Sequence, residues 1–100
     1  MLFRSPTAEH YLDLCWRYEQ NWRYKDSLAA CENALKLRAD YAAAYDQMAV
    51  GQQDLAQWEQ AAAAARRALA LNAALPRASA ILERASREMA AAQALKASGK

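Results

Sequence analysis

Apolar residues recur along the chain at helical spacing. Tyr11, Leu14, Cys15 and Tyr18 stand at i, i+3, i+4 and i+7, one face of a helix. Ser5-Pro6-Thr7 precedes them, with Ser or Thr available as an N-cap and Pro suited to a first turn. A second stripe runs through Tyr24, Ser27, Leu28, Cys31, Ala34 and Leu35. A third has Tyr45, Met48 and Ala49, and a fourth Trp58, Ala61, Ala62, Ala65, Ala68 and Leu69. The last helix opens at Leu75-Pro76 and runs to about Ala97, with Ala78, Leu82, Ala85, Met89 and Ala92 stepping by 4, 3, 4 and 3. The pattern predicts an all-α chain of about five helices.

The stripes repeat. At an offset of 34, Tyr11 falls on Tyr45, Leu14 on Met48, Cys15 on Ala49 and Tyr24 on Trp58. Ser27 then meets Ala61, Cys31 meets Ala65, Ala34 meets Ala68, and Leu35 meets Leu69. Each pair keeps its size class, which an Ala-rich chain would not produce by chance at the aromatic and Leu positions. The offset is not a multiple of 7, which argues against a long coiled coil. Asp40 and Asn72 stand in the joints, where a capping side chain is useful.

These positions resemble the tetratricopeptide repeat, a helix–turn–helix unit of 34 residues. Tyr11, Leu14, Cys15, Tyr18, Ser27, Cys31 and Ala34 fill one repeat, and Tyr45, Met48, Ala49, Gln52, Ala61, Ala65 and Ala68 the next. The resemblance implies one domain over 1–100: repeat one at about 8–41, repeat two at about 42–75, and a closing helix at about 76–97. The fold it implies is an α-α superhelix, a right-handed solenoid of antiparallel helix hairpins. Two departures stand out. Trp22 and Ala56 lie near the turn position where the family often has Gly for a left-handed backbone, at a cost on the order of 1 kcal/mol. Ala39 and Ala73 replace the family's Pro after the second helix, so helices that run on past their usual ends, or relaxed turns, are expected there.

Composition agrees. Of 55 apolar residues 27 are Ala, so the core is thin, and Gly and Pro occur twice each, which excludes collagen-like, Gly-rich and Pro-rich classes. Small residues at Cys15, Ser27, Ala49 and Ala61 are the expected close-contact pairs between paired helices. A net charge of +2 is too small to imply a nucleic-acid or membrane-surface partner. No apolar run is long enough for a membrane span, so no membrane contact is expected. The first ten residues lack the blocks of a signal peptide, which makes the cytoplasm the default, while Leu2-Phe3 reads as the remnant of a preceding segment.

Candidate chemistry is sparse. His10 is the single histidine, Gly51 and Gly99 are too far apart for a phosphate loop, and a zinc site wants four Cys/His ligands where only three such residues exist. No enzyme activity, cofactor or metal is expected. Cys15 and Cys31 are too few for a disulfide framework. The implied fold places them on facing helices, where a disulfide is conceivable, but two reduced cysteines acting as small hydrophobes are the expectation.

The resemblance also implies a concave groove lined by the first helix of each repeat. Its positions carry over as Glu9, Leu12, Trp16, Glu19 and Gln20, then Ala43, Asp46, Val50, Gln53 and Asp54, then Arg77, Ala80, Arg84, Arg87 and Glu88. The expected peptide-binding set is Leu12, Trp16, Glu19, Asp46, Val50, Gln53, Arg77, Arg84 and Arg87. Trp16 lies at the edge of the buried stripe, either an accessible anchor or an aromatic covering the core. Arg77, Arg84 and Arg87 share a helix face, so an acidic peptide or chain terminus at the Arg end is expected. Leu12 and Trp16 stand where chaperone-binding members begin their Lys and Asn carboxylate clamp, so that activity is not expected. The function implied is a non-enzymatic protein–protein interaction module. The alternative is a self-associating or spacer segment of a larger protein, including a homodimer. RNA binding is opposed by the repeat period and the low net charge.

Overall fold

The computed structural model describes residues 6–99. The Ser5 cap and the Leu2-Phe3 remnant lie outside them. Five helices follow in order: α1 (Ala8–Gln20), α2 (Tyr24–Leu37), α3 (Ala42–Asp54), α4 (Trp58–Leu71) and α5 (Pro76–Ser98). Each helix packs on the next: α1 on α2 and α3 on α4 as hairpins, with α2 on α3 and α4 on α5 across the joints. The first helices also touch along a row, α1 with α3 and α3 with α5. That row is the inner side of an α-α superhelix.

The backbone itself repeats at the offset of 34. Trp22 and Ala56 both take left-handed conformations, with φ of 59° and 57°. Arg23 N–H donates to the Tyr18 carbonyl at 2.9 Å and Trp22 N–H to that of Glu19 at 3.0 Å. Gln57 donates to Gln52 at 2.8 Å and Ala56 to Gln53 at 2.9 Å. Both turns are therefore Schellman motifs, in which the two residues past the cap satisfy carbonyls of the last helical turn. In the first, the Arg23 guanidinium also lies 4.9 Å from the Tyr18 ring centre, closing the motif side chain to side chain. The joints match too: Arg38 and Asn72 are extended, with φ of −150° and −151°.

Capping follows expectation at Thr7 and departs from it elsewhere. Thr7 caps α1, its hydroxyl accepting from His10 N–H at 3.2 Å, while His10 Nδ1 accepts from Thr7 N–H at 3.3 Å. This reciprocal box gives the exposed His10 a structural task that its sequence position did not suggest. Asp40 caps nothing: the N-cap of α3 is Tyr41, without a side-chain bond. Asn72 ends α4 rather than starting a helix, and its Oδ1 accepts from Ala74 N–H at 3.1 Å. The helices also stop at Leu37 and Leu71, short of Ala39 and Ala73, so the missing prolines do not let them run on.

The core is built from small side chains. One cluster holds Cys15, Ala30 and Cys31, with Leu12, Tyr18 and Met48 against it. The other holds Ala49, Ala61, Ala64, Ala65, Ala68, Ala78 and Ile81. Met48 packs against both and links the hairpins. Gly51 marks a close approach of α3 to α2, since a Cβ there would stand 3.3 Å from Leu28 Cδ2. Ser27 Oγ, fully buried, donates to the Cys15 carbonyl at 2.8 Å, so its hydroxyl is satisfied inside the hairpin.

Cys15 and Cys31 are joined by a disulfide, with their Cα atoms 5.4 Å apart. This corrects the expectation of two reduced thiols. Small residues on the facing helices bring α1 and α2 close enough for the two Cβ atoms to meet within bridging range.

Candidate functional site

The inner row of helices encloses an open pocket of about 370 Å³ between α1, α3 and α5. Glu9, Leu12, Asp13 and Trp16 come from α1, Ala43, Asp46 and Gln47 from α3, and Leu75 and Arg77 from the start of α5. The lining follows the repeat register. Glu9, Ala43 and Arg77 are spaced by 34, as are Leu12 with Asp46 and Asp13 with Gln47. Equivalent positions of successive units thus converge on one hollow.

Trp16 forms part of the wall with 49% of its surface open, so it is accessible rather than core. Asp46 and Gln47 lie deeper, at 6% and 3% exposed. Arg77 holds both. Its Nε donates to Asp46 Oδ2 at 2.9 Å and its second nitrogen to the same oxygen at 2.6 Å. That nitrogen also donates to Gln47 Oε1 at 3.3 Å. The other ends of the two side chains are buried without a protein partner: Asp46 Oδ1, an acceptor, and Gln47 Nε2, a donor. Leaving such groups unpaired costs about 1–3 kcal/mol each.

On the rim, Glu9 pairs with Arg38 at 3.0 Å and Asp13 with Arg17 at 2.9 Å, both pairs open to solvent. Further along the groove, Glu19 is held above its ordinary pKa of 4.5, by partial burial first and by the Asp54 carboxylate second, with Arg77 opposing. Tyr24 is raised above 10.0 in the same neighbourhood, first by desolvation and then by Asp54 and Glu19. The groove therefore carries a cluster of negative charge at the far ends of α1 and α3.

Of the nine expected groove residues, the pocket gathers Leu12, Trp16, Asp46 and Arg77. Val50, Gln53 and Glu19 are half-buried and outside it. Arg84 and Arg87 are exposed and do not reach it; the Arg84 guanidinium lies 5.2 Å from the Trp58 ring centre, turned toward α4. Asp13, Gln47 and Leu75 were not anticipated. For Asp13 and Gln47 the signal was present in the register, since each follows an expected groove position by one residue.

No family model and no curated protein matches the chain. Solved structures do. The first TPR domain of Spaghetti (RPAP3) bound to the HSP90 peptide SRMEEVD superposes with a TM-score of 0.81 at 20% identity, over 84% of this chain and 67% of that one. An Arabidopsis OM64 TPR domain gives 0.79 at 20% identity, over 82% and 68%. The second TPR domain of human RPAP3, in complex with the HSP70 peptide SGPTIEEVD, gives 0.76 at 17% identity, over 81% and 68%. At these identities the likeness concerns the fold. With the 34-residue register, the paired Schellman turns and the five helices in order, this chain has the tetratricopeptide-repeat fold: two helical hairpins and a closing helix.

Proposed function

We propose that the chain is a non-enzymatic protein-interaction module that takes an extended peptide or a partner helix in the groove of α1, α3 and α5. The observation that carries this reading is the open pocket with a half-exposed Trp16 on its wall and the polar residues Asp46, Gln47 and Arg77 in its lining. Exposed Trp residues are frequent anchors in interfaces, and a polar floor fixes orientation. Two of the similar structures hold peptides, which supports the same use here. Leu12, Trp16, Asp46 and Arg77 form the centre of the proposed site, with Glu19, Val50 and Gln53 along the groove. The acidic partner expected at the Arg end loses ground, because Arg77 is committed to Asp46 and Arg84 stacks on Trp58.

Truncating Trp16 tests the proposal. With the chain as bait in extracts of its own organism, Trp16→Ala loses the captured partner. Its stability falls by no more than about 1–2 kcal/mol, because half of the ring contributes no burial. A larger loss, measured by urea unfolding, would make Trp16 part of the core and remove it as an anchor.

A second reading, self-association, is favoured by the outer face of the first hairpin, which no described residue covers. Tyr11 and Leu37 line a hollow there and Leu14 is exposed; the counterparts of Tyr11 and Leu14, Tyr45 and Met48, pack against the core, while Leu71, the counterpart of Leu37, is exposed as well. Sedimentation across a concentration series separates the two: a dimer in which Trp16 stays open to solvent quenchers favours assembly through the outer face. The Cys15–Cys31 disulfide supports an oxidising compartment over the cytoplasm expected from the sequence, since reducing compartments keep such thiols apart.

A further inference from the structure

We propose that this pocket selects a cationic segment of polypeptide, an Arg or Lys side chain set beside its own backbone amide; the inference rests on the peptide-groove reading above. Three carboxylates line the pocket against one guanidinium: Glu9, Asp13 and Asp46 against Arg77. Glu9 and Asp13 pair outward with Arg38 and Arg17, so the excess belongs to the pocket wall and is not a net charge of the region. Both pairs are solvent-exposed and screened, and each carboxylate keeps lone pairs for another donor. Trp16 presents a half-open ring in the same wall, and a guanidinium or ammonium over an indole face gains from the ring's negative quadrupole. The carboxylates and the π surface favour the same kind of side chain.

The floor completes the match. Asp46 Oδ1 lacks a donor and Gln47 Nε2 lacks an acceptor. Both side chains are gripped at their other ends by the same Arg77. A polypeptide backbone carries the complement of each, an N–H for the carboxylate oxygen and a C=O for the amide nitrogen. Both atoms lie beneath the surface, and a cationic side chain that took over the contacts of Arg77, itself 51% exposed, would keep Asp46 paired. An anionic peptide finds the reverse arrangement: it meets three carboxylates and gains only by pulling Arg77 from Asp46. That leaves Asp46 buried and unpaired, which is strongly unfavourable.

The test is selection from a library of random octapeptides, acetylated and amidated at their ends, displayed to the full chain in its oxidised form. The recovered sequences are expected to be enriched in Arg or Lys next to an apolar residue. Binding of the best of them should weaken at least tenfold in Trp16→Ala, and several-fold in the surface double variant Glu9→Gln/Asp13→Asn, whose helix content serves as the folding control. It should also weaken as salt is raised. Recovery of acidic peptides that depend on Arg77, tested with Arg77→Gln, would overturn the cationic selection and leave the peptide groove standing. Recovery of no peptide beyond the background of Trp16→Ala would overturn both.

Discussion

Ala56 sits in the left-handed region with φ of 57°, where its methyl group crowds the following carbonyl. The strain of about 1–2 kcal/mol exceeds the roughly 0.4–1 kcal/mol that a glycine adds to the freedom of the unfolded chain. Ala56→Gly is therefore expected to stabilise the protein by about 0.5–1 kcal/mol, read as a higher urea midpoint with an unchanged slope. Trp22 shares the geometry, but its ring is 79% exposed, so glycine there removes a large apolar surface as well. Both positions were legible in the sequence, because the register puts a non-glycine residue where a left-handed turn is needed. The role of His10 was not. A histidine at the third helical position looks like any surface residue until the Thr7 hydroxyl and its own Nδ1 are seen to face each other.

At the scale of helices, the two hairpins solve the same packing problem by different means. In the first, a disulfide ties α1 to α2; in the second, Ala49 and Ala65 occupy the two corresponding positions. The cross-link closes a segment with a sequence separation of 16, for which loop entropy gives about 3 kcal/mol of stabilisation. Reduction should lower the unfolding free energy by about that amount without changing helix content in the folded state, as circular dichroism during denaturation with and without reductant would show. The oxidised protein should also resist alkylation, whereas free thiols would be modified once unfolded. The repeat pattern placed both cysteines on facing helices, which is as far as spacing goes. Whether two such residues bridge depends on how near the helices come and where their Cβ atoms point, and that was set by Ser27 and the alanines of the interface. The groove shows the same division. Its positions followed from the register, but where Arg84 and Arg77 direct their long side chains depended on Trp58 and Asp46.

The whole molecule is elongated, 65 × 27 × 19 Å, with a Cα radius of gyration of 15.2 Å. Part of that length is the far half of α5. This helix has 23 residues against 13 or 14 in the others, and from Ala90 to Gly99 every residue is exposed, Leu95 at 73%. Removing residues 91–100 is expected to shift the melting temperature by no more than about 2–4 °C, since exposed surface contributes within ~0.5 kcal/mol. The radius of gyration measured by small-angle scattering should fall. Stability in such a stack is a sum over neighbours, each element leaning on the next. Helices α1 and α5, at opposite ends of that series, do not pack against each other among the described residues, yet both furnish walls of one pocket. An occupant would therefore join elements that the chain itself leaves apart. It would act as a brace across the open side, making the separation of either end conditional on its own departure.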